Sequence, residues 1–155
     1  MRKSRAKDRI IYPDPKFGDV QVAKFVNRLM QRGKKSVAYN VFYTALDIVA
    51  EKTGESGLEV FKKAIENITP KVEVRSRRIG GATFQIPQEV RPKRKVTLAN
   101  KWMIEFAKKR RGHSMAEKLA DEIIAAYKEE GGAFKKKEDT HRMAEANKAF
   151  SHFKF

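Results

Sequence analysis

Five stretches of this chain repeat apolar residues at three- and four-residue spacing, and each is closed by glycine or proline. That spacing puts the apolar groups on one face of an α-helix, and such faces must pack against one another to leave water. The first stripe is Val22, Val26, Leu29 and Met30, with Asp19 as cap and Gly33 at its end. The second is Ala38, Val41, Phe42, Ala45, Leu46 and Val49, with Ser36 as cap and Gly54 beyond it. Leu58, Phe61, Ile65 and Ile68 form the third, where Ser56 and Glu59 have capping-box spacing and Pro70 prevents continuation. Thr97 is the expected cap of a fourth, along Leu98, Trp102, Met103, Phe106 and Ala107. Ser114 and Glu117 repeat the capping box before Met115, Leu119, Ile123 and Ala126, and Gly131–Gly132 stop that fifth helix. Asp139 or Thr140 is the expected cap of a short sixth, along Met143, Ala146 and Phe150.

The period changes once. Val72 and Val74 alternate with Glu73 and Arg75, and Gly80–Gly81 suit a two-residue turn that requires positive φ. The implied hairpin pairs Ile79 with Ala82, Arg77 with Phe84 and Arg75 with Ile86, while Pro87 marks an edge or a strand end. Val72, Val74 and Ile86 are apolar anchors for its base. Its arginine-rich tip does not resemble a core, because burying unpaired arginines costs several kcal/mol each. The expected fold is mainly α: a single-domain bundle of about six helices, a protruding hairpin at 72–87 and a basic arm over residues 1–18. In that arm Pro13 and Pro15 forbid a regular helix, and Tyr12 and Phe17 are expected to pin its distal part. Residues 19–155 form the expected helical domain. The terminal Phe153 and Phe155 suit stacking on bases or packing on protein.

Lys and Arg number 35 against 19 Asp and Glu, a formal net charge of +16. Solubility does not need such an imbalance, and a polyanionic partner explains it. A membrane surface fits poorly, because the basic clusters are not confined to one amphipathic helix. No apolar run approaches the ~20 residues of a spanning helix, and no apolar segment follows the charged "MRKSRAKDR" start as in a secretory signal. Cysteine is absent, which points to a reducing, cytoplasmic setting.

Catalytic patterns are missing. His113, His141 and His152 stand in no metal-ligand spacing, and Asp121–Glu122 are consecutive rather than convergent. No enzyme activity, cofactor or metal is expected. The charges lie at both termini, in the hairpin and at two helix junctions, which suits a clamp on folded nucleic acid better than one recognition helix. A DNA-binding architectural protein is the alternative, and a protein-binding adaptor is a third class that leaves +16 unexplained.

The blocks "YPDPKFG", "VAKFVNRLMQRGKKS", "ALDIVAEKTG", "VEVRSRRIGGATFQIPQEVRP" and "KKEDTHRMAEANKAF" closely resemble the bacterial or organellar form of the ribosomal protein seven family of the small subunit. The resemblance spans nearly the whole chain. It implies a structural constituent that binds 16S rRNA early and helps assemble the 3′ major domain of the head. It also implies a hairpin near exit-site tRNA and the mRNA path, ribosomal protein eleven as a neighbour, and in some members binding to their own operon mRNA. Carried onto this sequence, the RNA surface takes in Arg2, Lys3, Arg5, Lys7 and Arg9 of the arm, and Lys34 and Lys35 at the first turn. In the hairpin it takes in Arg75, Arg77 and Arg78, followed by Arg91, Lys93, Arg94 and Lys95. Arg110 and Arg111 of the "RRGHSM" linker, then Lys135, Lys136, Lys137 and Arg142, complete it.

Overall fold

A computed structural model describes residues 9–153, which form six α-helices, one hairpin and a terminal 3-10 helix. The helices are α1 (Val20–Leu29), α2 (Lys35–Thr53), α3 (Gly57–Ile68), α4 (Pro92–Lys109), α5 (Met115–Tyr127) and α6 (Gly131–Ala146). Strands β1 (Val72–Ile79) and β2 (Ala82–Glu89) lie between α3 and α4 in sequence, and the 3-10 helix is Lys148–Phe153. The fold is mainly α, as the periodicity implies. By contacts the chain divides into two units, Met1–Asn40 and Val41–Phe155.

In the first unit a buried carboxylate organises the proline-rich segment. Asp14 is 2% exposed and accepts from the backbone N–H groups of Lys16 (3.0 Å) and Phe17 (2.9 Å). Gly18 N–H returns to the Asp14 carbonyl at 2.8 Å, closing the turn. Tyr12, expected to pin this segment, is 80% exposed, since Asp14 already supplies the anchor. Asp19 caps α1 by accepting from Gln21 N–H at 2.6 Å. The buried face of α1 adds Ala23 and Phe25 to Val22, Val26 and Leu29. Arg32 and Gly33 then take left-handed φ values of 52° and 76°. That turn delivers the chain into α2 at Lys35, so Ser36 lies within the first turn instead of capping it.

In the second unit the edge-on rings of Phe42 and Phe61, 5.1 Å apart, join α2 to α3. The approach is close: a Cβ on Gly57 would sit 2.3 Å from the Leu46 carbonyl oxygen. Gly57 fixes the start of α3, and the Ser56 side chain makes no cap bond, so the expected capping box with Glu59 does not form. Ser114 does cap α5, accepting from Glu117 N–H at 3.2 Å, while Glu117 accepts from His113 N–H at 3.1 Å. At the other end of α5, the Asn67 amide donates to the carbonyls of Ala126 and Tyr127, each at 3.1 Å.

Besides α2, two further helices begin earlier than expected. Pro92 opens α4, where its fixed φ and missing N–H suit a first position. Thr97 is therefore internal, and its hydroxyl donates to the Lys93 carbonyl at 3.0 Å. Gly131 opens α6, so Asp139 and Thr140 lie inside that helix and do not cap it. The early start has a tertiary cause. Glu122 of α5 is 1% exposed, and its Oε1 accepts from Ala133 N–H at 2.9 Å, capping α6 from another element. A Cβ on Gly132 would fall 2.3 Å from the Phe106 ring, so glycine lets α6 start against α4.

Phe61 is fully buried. Phe61→Ala is expected to destabilise the protein by about 3–5 kcal/mol in urea unfolding. A midpoint within error of the wild type would remove Phe61 from the core.

Candidate nucleic-acid interface

The hairpin forms in the inferred register: Arg75 opposite Ile86, Arg77 opposite Phe84 and Ile79 opposite Ala82. Gly80 and Gly81 supply the turn with φ values of 55° and 88°. In a two-stranded sheet each strand has one unpaired side, which accommodates Pro87 within β2. The base is seated by buried Ile86 and by contact of α6 with β1, and nearer the tip the Phe84 ring lies 5.2 Å from that of Phe150 in the 3-10 helix. Val72 and Val74 are only half-buried. Arg75, nearer the base, is exposed, as are Arg77, Arg78 and Thr83 towards the tip.

Below the hairpin, His141 of α6 accepts from Lys71 N–H at 3.0 Å through Nε2. That bond requires a neutral Nε2. Partial burial, followed by the charges of Lys137 and Lys71, lowers the His141 pKa from its ordinary value.

The cationic residues fall into separate groups. Arg2, Lys3, Arg5 and Lys7 lie outside the described residues, and Arg9 is exposed beside the exposed Ile10 and Tyr12. Lys34 and Lys35 are exposed around the start of α2, with Lys35 Nζ 5.6 Å from the Tyr39 ring centre. Arg91 caps α4 through its backbone, and Lys93, Arg94 and Lys95 occupy its first turn, which holds no acid. Cations there oppose the helix dipole, at about 0.3–1 kcal/mol each, and an anion reverses that cost. On α6, Lys135, Lys136 and Arg142 are exposed, and the seven-residue spacing of Lys135 and Arg142 puts them on one face. Lys137 is held more firmly: its Nζ donates to the Asn67 carbonyl at 2.8 Å and lies 3.9 Å from the Phe134 ring centre.

Two buried acids organise these cations, and neither stands out in the sequence. Arg110 pairs through Nε with Glu122 Oε2 and is only partly exposed, while Arg111 beside it is exposed. Glu73, 8% exposed, receives Arg94 Nε at 2.8 and 2.7 Å on its two oxygens, and Arg75 Nε at 3.2 Å on Oε1. The structure thereby joins the hairpin base to the first turn of α4. The signal for Glu73 was slight: a lone acid on the same strand face as Arg75, inside a basic segment.

No helix among the described residues is long and apolar enough to cross a membrane. Among the same residues no group of three or more His, Asp or Glu is placed to hold a metal ion.

The fold and its surface define a helical scaffold that displays cationic side chains from its helix ends and hairpin. Residues 1–148 match the family described as ribosomal protein S7p/S5e. Proteins named small ribosomal subunit protein uS7 are similar over 100% of both chains, at 61% identity in Cytophaga hutchinsonii, 60% in Christiangramia forsetii and 58% in Bacteroides fragilis. The chain belongs to this ribosomal protein family, whose role is structural and not enzymatic.

His141 gives a pH prediction. Its folded pKa lies below the ordinary 6.5, so the unfolded chain binds more protons between the two values. The neutral imidazole contributes fully above the unfolded pKa, and that stability is lost as pH falls through the folded value. Urea midpoints at about pH 7.5 and about pH 5.5 should therefore differ more in the wild type than in His141→Gln. Equal differences would show that His141 does not carry this dependence.

Proposed function

We propose that the chain is a structural constituent of the cytoplasmic small ribosomal subunit that binds 16S rRNA early and helps fold the 3′ major domain of the head. The observation that carries this is the cationic junction of Arg75, Lys93, Arg94 and Lys95 at the hairpin base and α4 start, in a chain of this family. The name shared by its relatives supports the choice of subunit.

The contacts are Arg2, Lys3, Arg5, Lys7 and Arg9; Lys34 and Lys35; Arg75, Arg77 and Arg78; and Arg91, Lys93, Arg94 and Lys95. Arg111, Lys135, Lys136 and Arg142 complete the direct set, with Arg110 and Lys137 acting largely by holding their helices in place. Phosphate neutralisation releases counterions, which supplies affinity. The fixed separation of helix ends within the second unit supplies selectivity for RNA shape, read through phosphates and 2′-hydroxyls. The hairpin tip lies near exit-site tRNA and the mRNA path, ribosomal protein eleven is a neighbour, and the same surface recognises the protein's own operon mRNA.

With roughly 6–10 phosphates engaged, log affinity for a 3′ major domain fragment should fall against log salt with a slope of about −4 to −9 at fixed magnesium. A slope near zero would contradict electrostatic clamping. Changing Arg2, Lys3 and Arg5 together to Ala should weaken binding and leave the melting temperature unchanged. Loss of thermal stability in that variant would make the arm structural. Replacing Arg77–Thr83 by Asn-Gly should retain the helices and weakened rRNA binding, while altering tRNA release from the exit site of reconstituted ribosomes. Unchanged release in fully assembled particles would remove the exit-site role.

A further inference from the structure

We propose that Glu73 is a positioning residue of the RNA interface: its carboxylate sets Arg75 and Arg94 side by side to grip one backbone phosphate. The proposal rests on the RNA-binding reading above. It runs against simple charge counting, in which an acid amid RNA-binding residues only weakens attraction.

The carboxylate is nearly buried, with its side chain 10% exposed, whereas the Arg75 and Arg94 side chains are 50% and 47% exposed. The acid is therefore inside and the cations face water. Both arginines meet the same oxygen, Oε1, so their guanidiniums are neighbours. Without the acid, two like charges this close would repel and separate. With it, the junction carries one net positive charge, which a phosphate diester neutralises.

All three hydrogen bonds to the carboxylate run through Nε, one from Arg75 and two from Arg94. Arginine recognises phosphate best with paired N–H groups in its planar fork, and the Nη hydrogens of both residues remain to supply them. Fixing two long side chains before RNA arrives removes ordering entropy that binding would otherwise bear. Arg94 also sits in the acid-free first turn of α4, beside Lys93 and Lys95. The helix dipole and three neighbouring cations there favour the same anion.

Glu73→Gln keeps the side-chain shape and raises the net charge by one. Charge counting predicts tighter RNA binding, and the proposal predicts about tenfold weaker binding to the 3′ major domain fragment at fixed salt and magnesium. Asp121→Asn is the control, because it makes the same charge change at an acid paired with Lys52 on α2; its affinity should be unchanged or higher. In an Arg75→Ala, Arg94→Ala background, Glu73→Gln should no longer weaken binding, a coupling that a purely structural role would not produce. Arg94→Lys provides a second reading, independent of whether Glu73→Gln folds. It keeps the charge and loses the fork, so affinity should fall severalfold at an unchanged salt slope. Wild-type affinity in Glu73→Gln or in Arg94→Lys would overturn the proposal. A wild-type protein that fails to bind the fragment would instead overturn the RNA reading itself.

Discussion

A carboxylate sealed from water must have partners for its charge and both of its oxygens, and Glu122 has them from two directions. Arg110, just past the end of α4, bonds one oxygen, and the first turn of α6 bonds the other. A side chain of α5 thus fixes the end of one helix and the start of another. Removing one partner of such a buried pair costs about 3–5 kcal/mol, because the remaining charge is stranded. The direction of α6 follows from this link, and α6 in turn supplies His141 and the surface on which β1 rests.

Glu73 plays a comparable part nearer the surface. It ties the hairpin to α4 through Arg94 and holds Arg75 of its own strand beside it, and both arginines stay half exposed. Lys and Arg outnumber Asp and Glu by 35 to 19, and two buried acids, Glu73 and Glu122, hold Arg75, Arg94 and Arg110 in place. Within the second unit the result is a helical frame whose charged ends keep a set spacing. A polyanion of defined shape fits such a frame, and a flexible polyanion gains less from it.

The hairpin was legible because its constraints are local. Two glycines demand the turn, alternation demands the strands, and together they fix the register. Core stripes were legible for the same reason in the first five helices, although Phe25 was missed because it widens the stripe of α1. The stripe expected for the sixth failed, since Met143 and Ala146 are exposed, Phe150 lies in the 3-10 helix, and α6 buries Ala133, Thr140 and Ala144 instead. Helix starts were less legible wherever the cap was not a neighbour in sequence. Glu122 caps α6 from nine residues before its first residue, a distance no capping motif covers. Thr97 offered an attractive local cap, yet Pro92 is compatible with a first helical position and α4 begins there. For the candidate interface, the sequence revealed the positive charges and the family its blocks resemble. It did not reveal that Glu73 is buried, because alternation put Glu73 and Arg75 on the strand face opposite the apolar Val72 and Val74.

If fixed spacing of cations is what selects the partner, charge alone should be a poor predictor of binding. The direct measurement is a competition between a folded 3′ major domain fragment of 16S rRNA and duplex DNA of equal phosphate concentration, at one salt and one magnesium level. The account predicts that the rRNA fragment retains the protein against an excess of DNA. Equal displacement by the two, or a preference for the duplex DNA, would contradict it.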